Sequence, residues 1–267
     1  MYPNRETFKN APLSLVATEV RFSDLARLRQ QDTRDQIALA LESRFPFAHP
    51  LEQLQVNLTP TGPQQIQVSG LVLRNEASTE SVTFTPDAVT YETTAYSDFE
   101  HLLEAVLAAC DALLQTGSKP ALQRVGLRYV DEIRVPEPVV NVRSWQRWIS
   151  PSLTGIADVA PEPLTPMSSQ GITSYDLGDG RGLNVRFAAL DGLSVVTPQN
   201  LVRTDFPEGP FFVLDFDGFQ NFGDGAATPL TRELVKSSLS AVHAPSGATF
   251  QRAITDEARQ LFRGDLT

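Results

Sequence analysis

The chain has 267 residues, 41% of them hydrophobic, and a formal net charge of −10. This length and apolar content can form a sizeable core, in one large domain or two smaller ones. A negatively charged chain repels a phosphate backbone unless its basic residues cluster, and the sequence contains no such cluster. Nucleic acid is therefore not an expected partner.

The sequence carries one cysteine, Cys110, which cannot form an intramolecular disulfide and fits a reducing cytoplasm. The first ten residues lack the apolar core of a signal peptide, and no stretch approaches the roughly 18 apolar residues of a spanning helix. These features predict a cytoplasmic protein with no membrane partner. The sequence predicts no bound cofactor.

Apolar spacing along the first part of the chain predicts alternating strands and helices. The clearest element is a helix over Asp98–Gln115, with Ser97 and Glu100 in capping-box spacing. Its apolar stripe is expected to be buried at Leu103, Val106 and Cys110. The other predicted elements are strands over Leu13–Phe22, Leu54–Leu58, Gln65–Leu73 and Ser81–Thr93, the last with a turn or bulge at Pro86-Asp87, and a helix over Thr33–Phe45.

After Gly117 the order of elements begins again, with a strand, a short helical segment, several strands and a long helix. The long helix is expected to begin at an N-cap, Thr228, and to end near His243, whose charge would interact favourably with the helix dipole. The predicted elements are strands over Leu122–Val135, Thr173–Leu177, Leu183–Leu190, Leu193–Thr197 and Phe211–Phe216, a helical segment over Val142–Ile149, and a last helix over Asp256–Phe262 capped by Thr255.

This order predicts an α+β fold of two pseudo-repeated halves, 1–118 and 119–267, in which mainly antiparallel sheet carries helices on one face. The halves are expected to share an interface or a sheet. Duplicated units tend to meet about a pseudo-twofold axis, so the two opening strands, Leu13–Phe22 and Leu122–Val135, are expected to lie in the same sheet or at one shared interface. Arg21 and Arg128 are then expected near the junction.

Two pairs of residues stand out as candidate sites. Asp215 and Asp217 lie on one face of a predicted strand, about 7 Å apart, where they could hold a divalent cation or act as acid and base. An exposed sheet face explains the same residues. Trp145 and Trp148 share one face of a short helix, which is typical of either a binding surface or a packed core.

Other potential motifs favour structural roles. Glycines 178, 180 and 182 lie between two strands, where Asp179-Gly180 predicts a hairpin rather than a phosphate-binding loop. The three histidines, His49, His101 and His243, are too dispersed for a zinc-protease motif, and no nucleophile elbow occurs. These observations favour a protein that is not an enzyme.

Three stretches resemble a sporadically distributed bacterial family without an assigned function. They are Asn10-Ala11-Pro12-Leu13 with Glu19-Val20-Arg21-Phe22, then Arg124-Val125-Gly126-Leu127-Arg128-Tyr129-Val130-Asp131-Glu132-Ile133, and last His243, Phe250 and Ile254-Thr255. Relatives more often carry Asn at the position of Asp131. The resemblance implies an accessory protein of ribosomal peptide pathways of the crocagin type, with a peptide-binding role and no catalytic residues.

A charged strip could serve such a role. If the two opening strands are neighbours, Arg21, Arg124 and Arg128 project on one face together with Glu19 and Glu132, as ligand contacts or as a structural ion-pair network. The sequence thus favours a non-enzymatic protein that binds a peptide or protein. Such a protein could form a homodimer or a heterodimer. The alternatives are a metal-assisted enzyme that uses Asp215 and Asp217, and an acidic immunity or inhibitor protein with a basic partner.

Overall fold

The computed structural model describes residues 6–59, 62–196, 200–203, 206–223 and 227–266. The strands are β1 (Leu13–Phe22), β2 (Phe47–Thr59), β3 (Gly62–Arg74), β4 (Glu80–Thr85), β5 (Ala88–Thr93), β6 (Leu122–Ile133), β7 (Ser169–Gly178), β8 (Arg181–Gly192) and β9 (Gly209–Asn221). The α-helices are α1 (Gln31–Leu41), α2 (Phe99–Gln115), α3 (Pro151–Thr154), α4 (Arg232–Ala253) and α5 (Asp256–Arg263). Short 3-10 helices cover Ala26–Arg29, Val142–Arg147 and Gly155–Asp158.

The strands form one nine-stranded antiparallel sheet in the order β2-β3-β4-β5-β1-β6-β9-β8-β7. The fold is therefore α+β. β1 and β6 are hydrogen-bonded neighbours, with Arg21 opposite Arg124 and Ala17 opposite Arg128. The two opening strands thus lie in the same sheet, as predicted, and Arg21 and Arg128 both lie at their junction.

Alternation along the central strands separates two faces of the sheet. In β1, Val16, Val20 and Phe22 are fully buried in a core cluster that includes residues of α1, α2 and α4. The alternate residues, such as Leu15 and Glu19, point to the opposite face, because successive strand side chains project to opposite sides. The same division continues through β6, where Val125 and Leu127 join the core cluster.

Two turns that were predicted from their residue types are present in the structure. Pro86-Asp87 joins β4 to β5, and Asp179-Gly180 joins β7 to β8 in a hairpin. Gly178, Asp179 and Gly180 all have positive φ, of 74°, 53° and 72°, the left-handed region that glycine enters without steric cost. Thr255 caps α5, as expected, by accepting from the Ala258 amide.

Several predicted boundaries were wrong. No strand occurs over 193–196, since β8 ends at Gly192, and Thr197 lies outside the described residues. The N-cap of α4 is Thr231 rather than Thr228, whose carbonyl accepts from the Leu122 amide instead. The N-cap of α2 is Asp98 rather than Ser97.

The helix α4 also runs ten residues beyond the predicted end at His243 and contains Pro245. A proline removes one intrahelical hydrogen bond, but packing of α4 on β6 and β9 stabilises the helix through it. His243 consequently lies within the helix. It stacks on Phe99 with ring centroids 4.1 Å apart, and its Nδ1 lies 2.8 Å from the Tyr129 hydroxyl. The predicted dipole role at a helix end is therefore wrong.

The buried stripe of α2 is confirmed at Val106 and Cys110, whereas Leu103 is only partly buried and its neighbour Leu102 is 1% exposed. Burial raises the pKa of the Cys110 thiol to about 12, so this cysteine is not a thiolate at neutral pH. Of the helices in the described residues, none combines the length and apolarity needed to cross a membrane.

We expect Leu102→Ala to lower the free energy of unfolding by about 2–5 kcal/mol, because it leaves a cavity in the packed core. Leu103→Ala is the matched control and should cost clearly less, since part of that side chain already contacts water. Urea denaturation of both variants measures the difference. Equal losses would contradict the orientation of α2 described above.

Candidate functional site

A groove of about 1100 Å³ lies on the face of the sheet opposite the main core cluster. Its lining comes from strands across the sheet, from Thr83 of β4 through Leu15 of β1 and Val130 of β6 to Ile172 of β7. A smaller cavity of about 420 Å³ adjoins it and shares Thr90, Arg128 and Arg186 with it. The two cavities together are called the sheet-face groove.

Asp215 holds two arginines at the centre of the sheet-face groove. Arg128 donates to both carboxylate oxygens, Nε to Oδ1 and Nη2 to Oδ2, each at 2.8 Å. Arg186 Nη1 lies 3.5 Å from Oδ2. The Asp215 side chain is 6% exposed, while those of Arg128 and Arg186 are 50% and 42% exposed. Hydrogen bonding to Asp215 raises the pKa of Arg128, and the trio carries a net positive charge.

The adjoining cavity contains a second ion-pair network. Arg124 bridges two carboxylates, since its Nη1 lies 3.1 Å from Glu19 and its Nη2 lies 3.2 Å from Asp217. Arg21 completes the network with a 2.8 Å ion pair to Glu19. Arg124 also lies over the ring of Phe219, 5.2 Å from its centroid. These contacts match the structural ion-pair alternative for the predicted strip.

Glu92 of β5 also lines the groove, and one strand, β1, separates it from Arg128 of β6, with Ala17 lying between them. Burial raises the pKa of its carboxyl. In the described part of the chain no cation lies within ion-pair distance of this carboxyl, so a polar ligand could approach it from the groove.

One end of the groove is closed by the loop that follows β8. The buried carboxylate of Glu132, 2% exposed, accepts from the amides of Val195 and Val196 at 3.1 and 3.2 Å, and from the Ser194 hydroxyl. Val195 and Val196 line the groove. Glu132 therefore anchors this wall and is not part of an exposed charged strip.

The metal hypothesis for Asp215 and Asp217 receives no support from their surroundings. Both side chains lie on the same face, as expected, but each carboxylate contacts an arginine, which competes with a cation for its oxygens. Within the ranges that the structure describes, no group of three or more potential metal-ligating side chains occurs.

The two tryptophans belong to the core. Trp145 and Trp148 are 1% and 2% exposed and pack in a second buried cluster with residues of β8, β9 and α4. The Trp145 ring lies 5.5 Å from that of Phe212. Neither tryptophan lines the sheet-face groove, and their burial matches the packed-core alternative rather than a binding surface.

Sequence reasoning missed Arg186 and Glu92. A signal for both was present, because each alternates with buried apolar residues of its strand, Val185 for Arg186 and Tyr91 for Glu92. Alternation places a side chain on a face, but only the register between strands sets Arg186 opposite Asp215 and Glu92 in the same row as Arg128.

The groove offers guanidinium donors, carboxylate acceptors, threonine hydroxyls and an apolar cluster. That cluster contains Val130, Val196, Phe211 and Val213, with Leu15 and Leu190 packed on it. Mixed donors, acceptors and apolar surface suit an elongated ligand with varied side chains.

A scan against protein-family models finds no match for the chain, and a search of curated proteins finds no matching protein.

Proposed function

We propose that this protein is a non-enzymatic binding protein that holds an extended peptide, or an extended segment of a protein, in the sheet-face groove. The observation that carries the proposal is the groove itself. Its main cavity of about 1100 Å³ crosses the sheet and reaches the upper end of the size typical of small-molecule sites, roughly 300–1,000 Å³.

Charge supports a ligand that carries a carboxylate. Arg128 and Arg186 share the single carboxylate of Asp215, and Arg186 makes no hydrogen bond to another described residue. The side chains of Arg128 and Arg186 remain 50% and 42% exposed. An acidic side chain or a peptide C terminus would supply the missing acceptor, since planar guanidinium groups match carboxylates well.

The edge strand β7 supports an extended conformation of the ligand. β7 is the last strand of the sheet, and its Gln170, Gly171 and Ile172 line the groove. No lysine, arginine or proline occurs in β7 to protect its free edge. A peptide that adds to β7 by main-chain hydrogen bonds would direct alternate side chains to the groove face.

We also propose that the two halves are pseudo-repeats. The strand order supports a twofold relation. Each half begins with a central strand, β1 or β6, places its last strand beside it, β5 or β9, and sets earlier strands further out. The groove then crosses the junction of the halves, where a duplicated unit would form a joint surface.

We expect Arg186→Gln to weaken the binding of an acidic peptide about tenfold or more, because a charge-assisted hydrogen bond contributes roughly 1.5–3 kcal/mol. Arg252→Gln is the matched control, since Arg252 is exposed on α4 outside the groove and loses the same charge. Fluorescence anisotropy with labelled peptides encoded by neighbouring genes, and with their Glu→Gln versions, measures the affinities.

The proposal fails if none of these peptides binds at ~100 μM, near the weak end of useful recognition. Equal losses in Arg186→Gln and Arg252→Gln would also count against the groove, because long-range charge alone would explain them.

A further inference from the structure

A second cavity, of about 350 Å³, lies on the other side of the sheet from the groove. It is enclosed by the N-terminal segment before β1, the turn before α2, the strands β6 and β9, and α4. Aromatic rings form much of its lining. They are Tyr96, Tyr129, Phe216, Phe250 and the imidazole of His243.

Asp131 of β6 points into this aromatic cavity and is only 4% exposed. Among the described residues, no cation lies within ion-pair distance of its carboxyl. Burial, and secondarily the charge of Asp215 on the opposite face, raises the pKa of Asp131 to about 8. A buried carboxyl without a counter-ion is costly to ionise. A cation that entered the cavity would compensate the charge of the carboxylate and would therefore bind favourably.

Five other titratable side chains line the cavity: Glu6, Lys9, Tyr96, Tyr129 and His243. Glu6 on the N-terminal segment is engaged by Arg263, and exposed Lys9 forms no ion pair with another described residue. His243 from α4 lies 2.8 Å from the Tyr129 hydroxyl. Tyr96 comes from the turn before α2.

We propose that this cavity binds an organic ammonium group, with Asp131 as its counter-ion and the surrounding aromatic rings as its walls. Aromatic faces attract ammonium ions through the ring quadrupole, and the attraction grows when the ion is desolvated. A carboxylate at the base of such a pocket adds a charge-assisted hydrogen bond to a primary amine. The cavity has room for a ligand of amino-acid side-chain size, such as an arylalkylamine.

The probe is 2-phenylethylamine, and its neutral counterpart is 2-phenylethanol. Isothermal titration at pH 7.5 should give at least tenfold tighter binding for the amine with the native chain. Asp131→Asn should remove this preference while preserving the shape of the side chain. Glu104→Gln, which neutralises an exposed carboxylate on α2, should leave the preference intact.

Proton release gives a second readout that does not depend on a variant. Because the amine binds the ionised carboxylate, titrations in buffers of different ionisation enthalpy should show release of roughly half a proton or more per amine bound. The alcohol should release none.

Equal binding of amine and alcohol by the native chain would overturn the inference. The absence of amine binding at ~10 mM would also overturn it, because a specific ligand of this size should bind in the millimolar range or more tightly. A preference for the amine that persists in Asp131→Asn would also overturn it. Arg186→Gln should not change amine binding, so the result is separable from the test of the sheet-face groove.

Discussion

Asp131→Asn is expected to stabilise the protein at pH 7 by about 2–4 kcal/mol, since a buried carboxyl that resists ionisation is replaced by a neutral side chain of the same shape. The reason is the position of Asp131 in the fold. Its carboxyl is almost completely buried, and no described cation compensates its charge.

The effect should depend on pH in a defined direction. In the unfolded chain the carboxyl has an ordinary pKa of about 3.9, whereas in the folded protein its pKa is raised to about 8. Between these values the folded state keeps a proton that the unfolded state has lost. Stability therefore falls as pH rises from about 4 to about 8 and loses nothing further from this group above that range.

Urea denaturation between pH 5 and pH 9, for the native chain, Asp131→Asn and the surface control Glu104→Gln, tests this prediction directly. The native chain and Glu104→Gln should lose stability in parallel up to about pH 8, while Asp131→Asn should show a flatter profile. Parallel profiles for all three proteins would show that Asp131 is ionised in the folded state near its ordinary pKa.

Separate expression of 1–118 and 119–267 is expected to give two pieces that do not fold alone and that associate when mixed. The cut separates β1 from β6, which pair along nearly their whole length. It also divides the main core cluster. Leu122 and Val125 of β6, with Val235, Leu239 and Val242 of α4, pack there against residues of 1–118.

The expected loss in the free energy of folding of each piece is large. Each buried aliphatic side chain contributes roughly 1.5–3 kcal/mol, so exposing several of them offsets the 5–15 kcal/mol by which a typical domain is stable. Circular dichroism of each piece, and of an equimolar mixture, distinguishes the outcomes. Independent cooperative unfolding of both pieces would show that the halves are autonomous domains.

Part of the candidate site was predictable from local pattern. Alternation in the opening strands put Glu19, Arg21, Arg124 and Arg128 on one face, and the pairing of β1 with β6 makes them neighbours. Local pattern could not decide between the two roles considered for Trp145 and Trp148. A pair of large aromatic residues on a short helix has the same spacing in a core as on a surface, and only the packing of neighbouring elements decides between them.

The sequence by itself determined the α+β class, the positions of most strands, the hairpin at Asp179-Gly180 and the cap of α5 at Thr255, because these depend on apolar periodicity and on the backbone preferences of nearby residues. Only the tertiary structure decided which partner each charged residue meets. Asp215 faces Arg128 and Arg186 through the register of β9 with β6 and β8, strands up to about ninety positions away along the chain. Register between distant strands is fixed by the cooperative burial of whole faces, so no local pattern encodes it. The burial of Asp131 also depends on the tertiary structure, because the N-terminal segment and α4 pack over this part of β6.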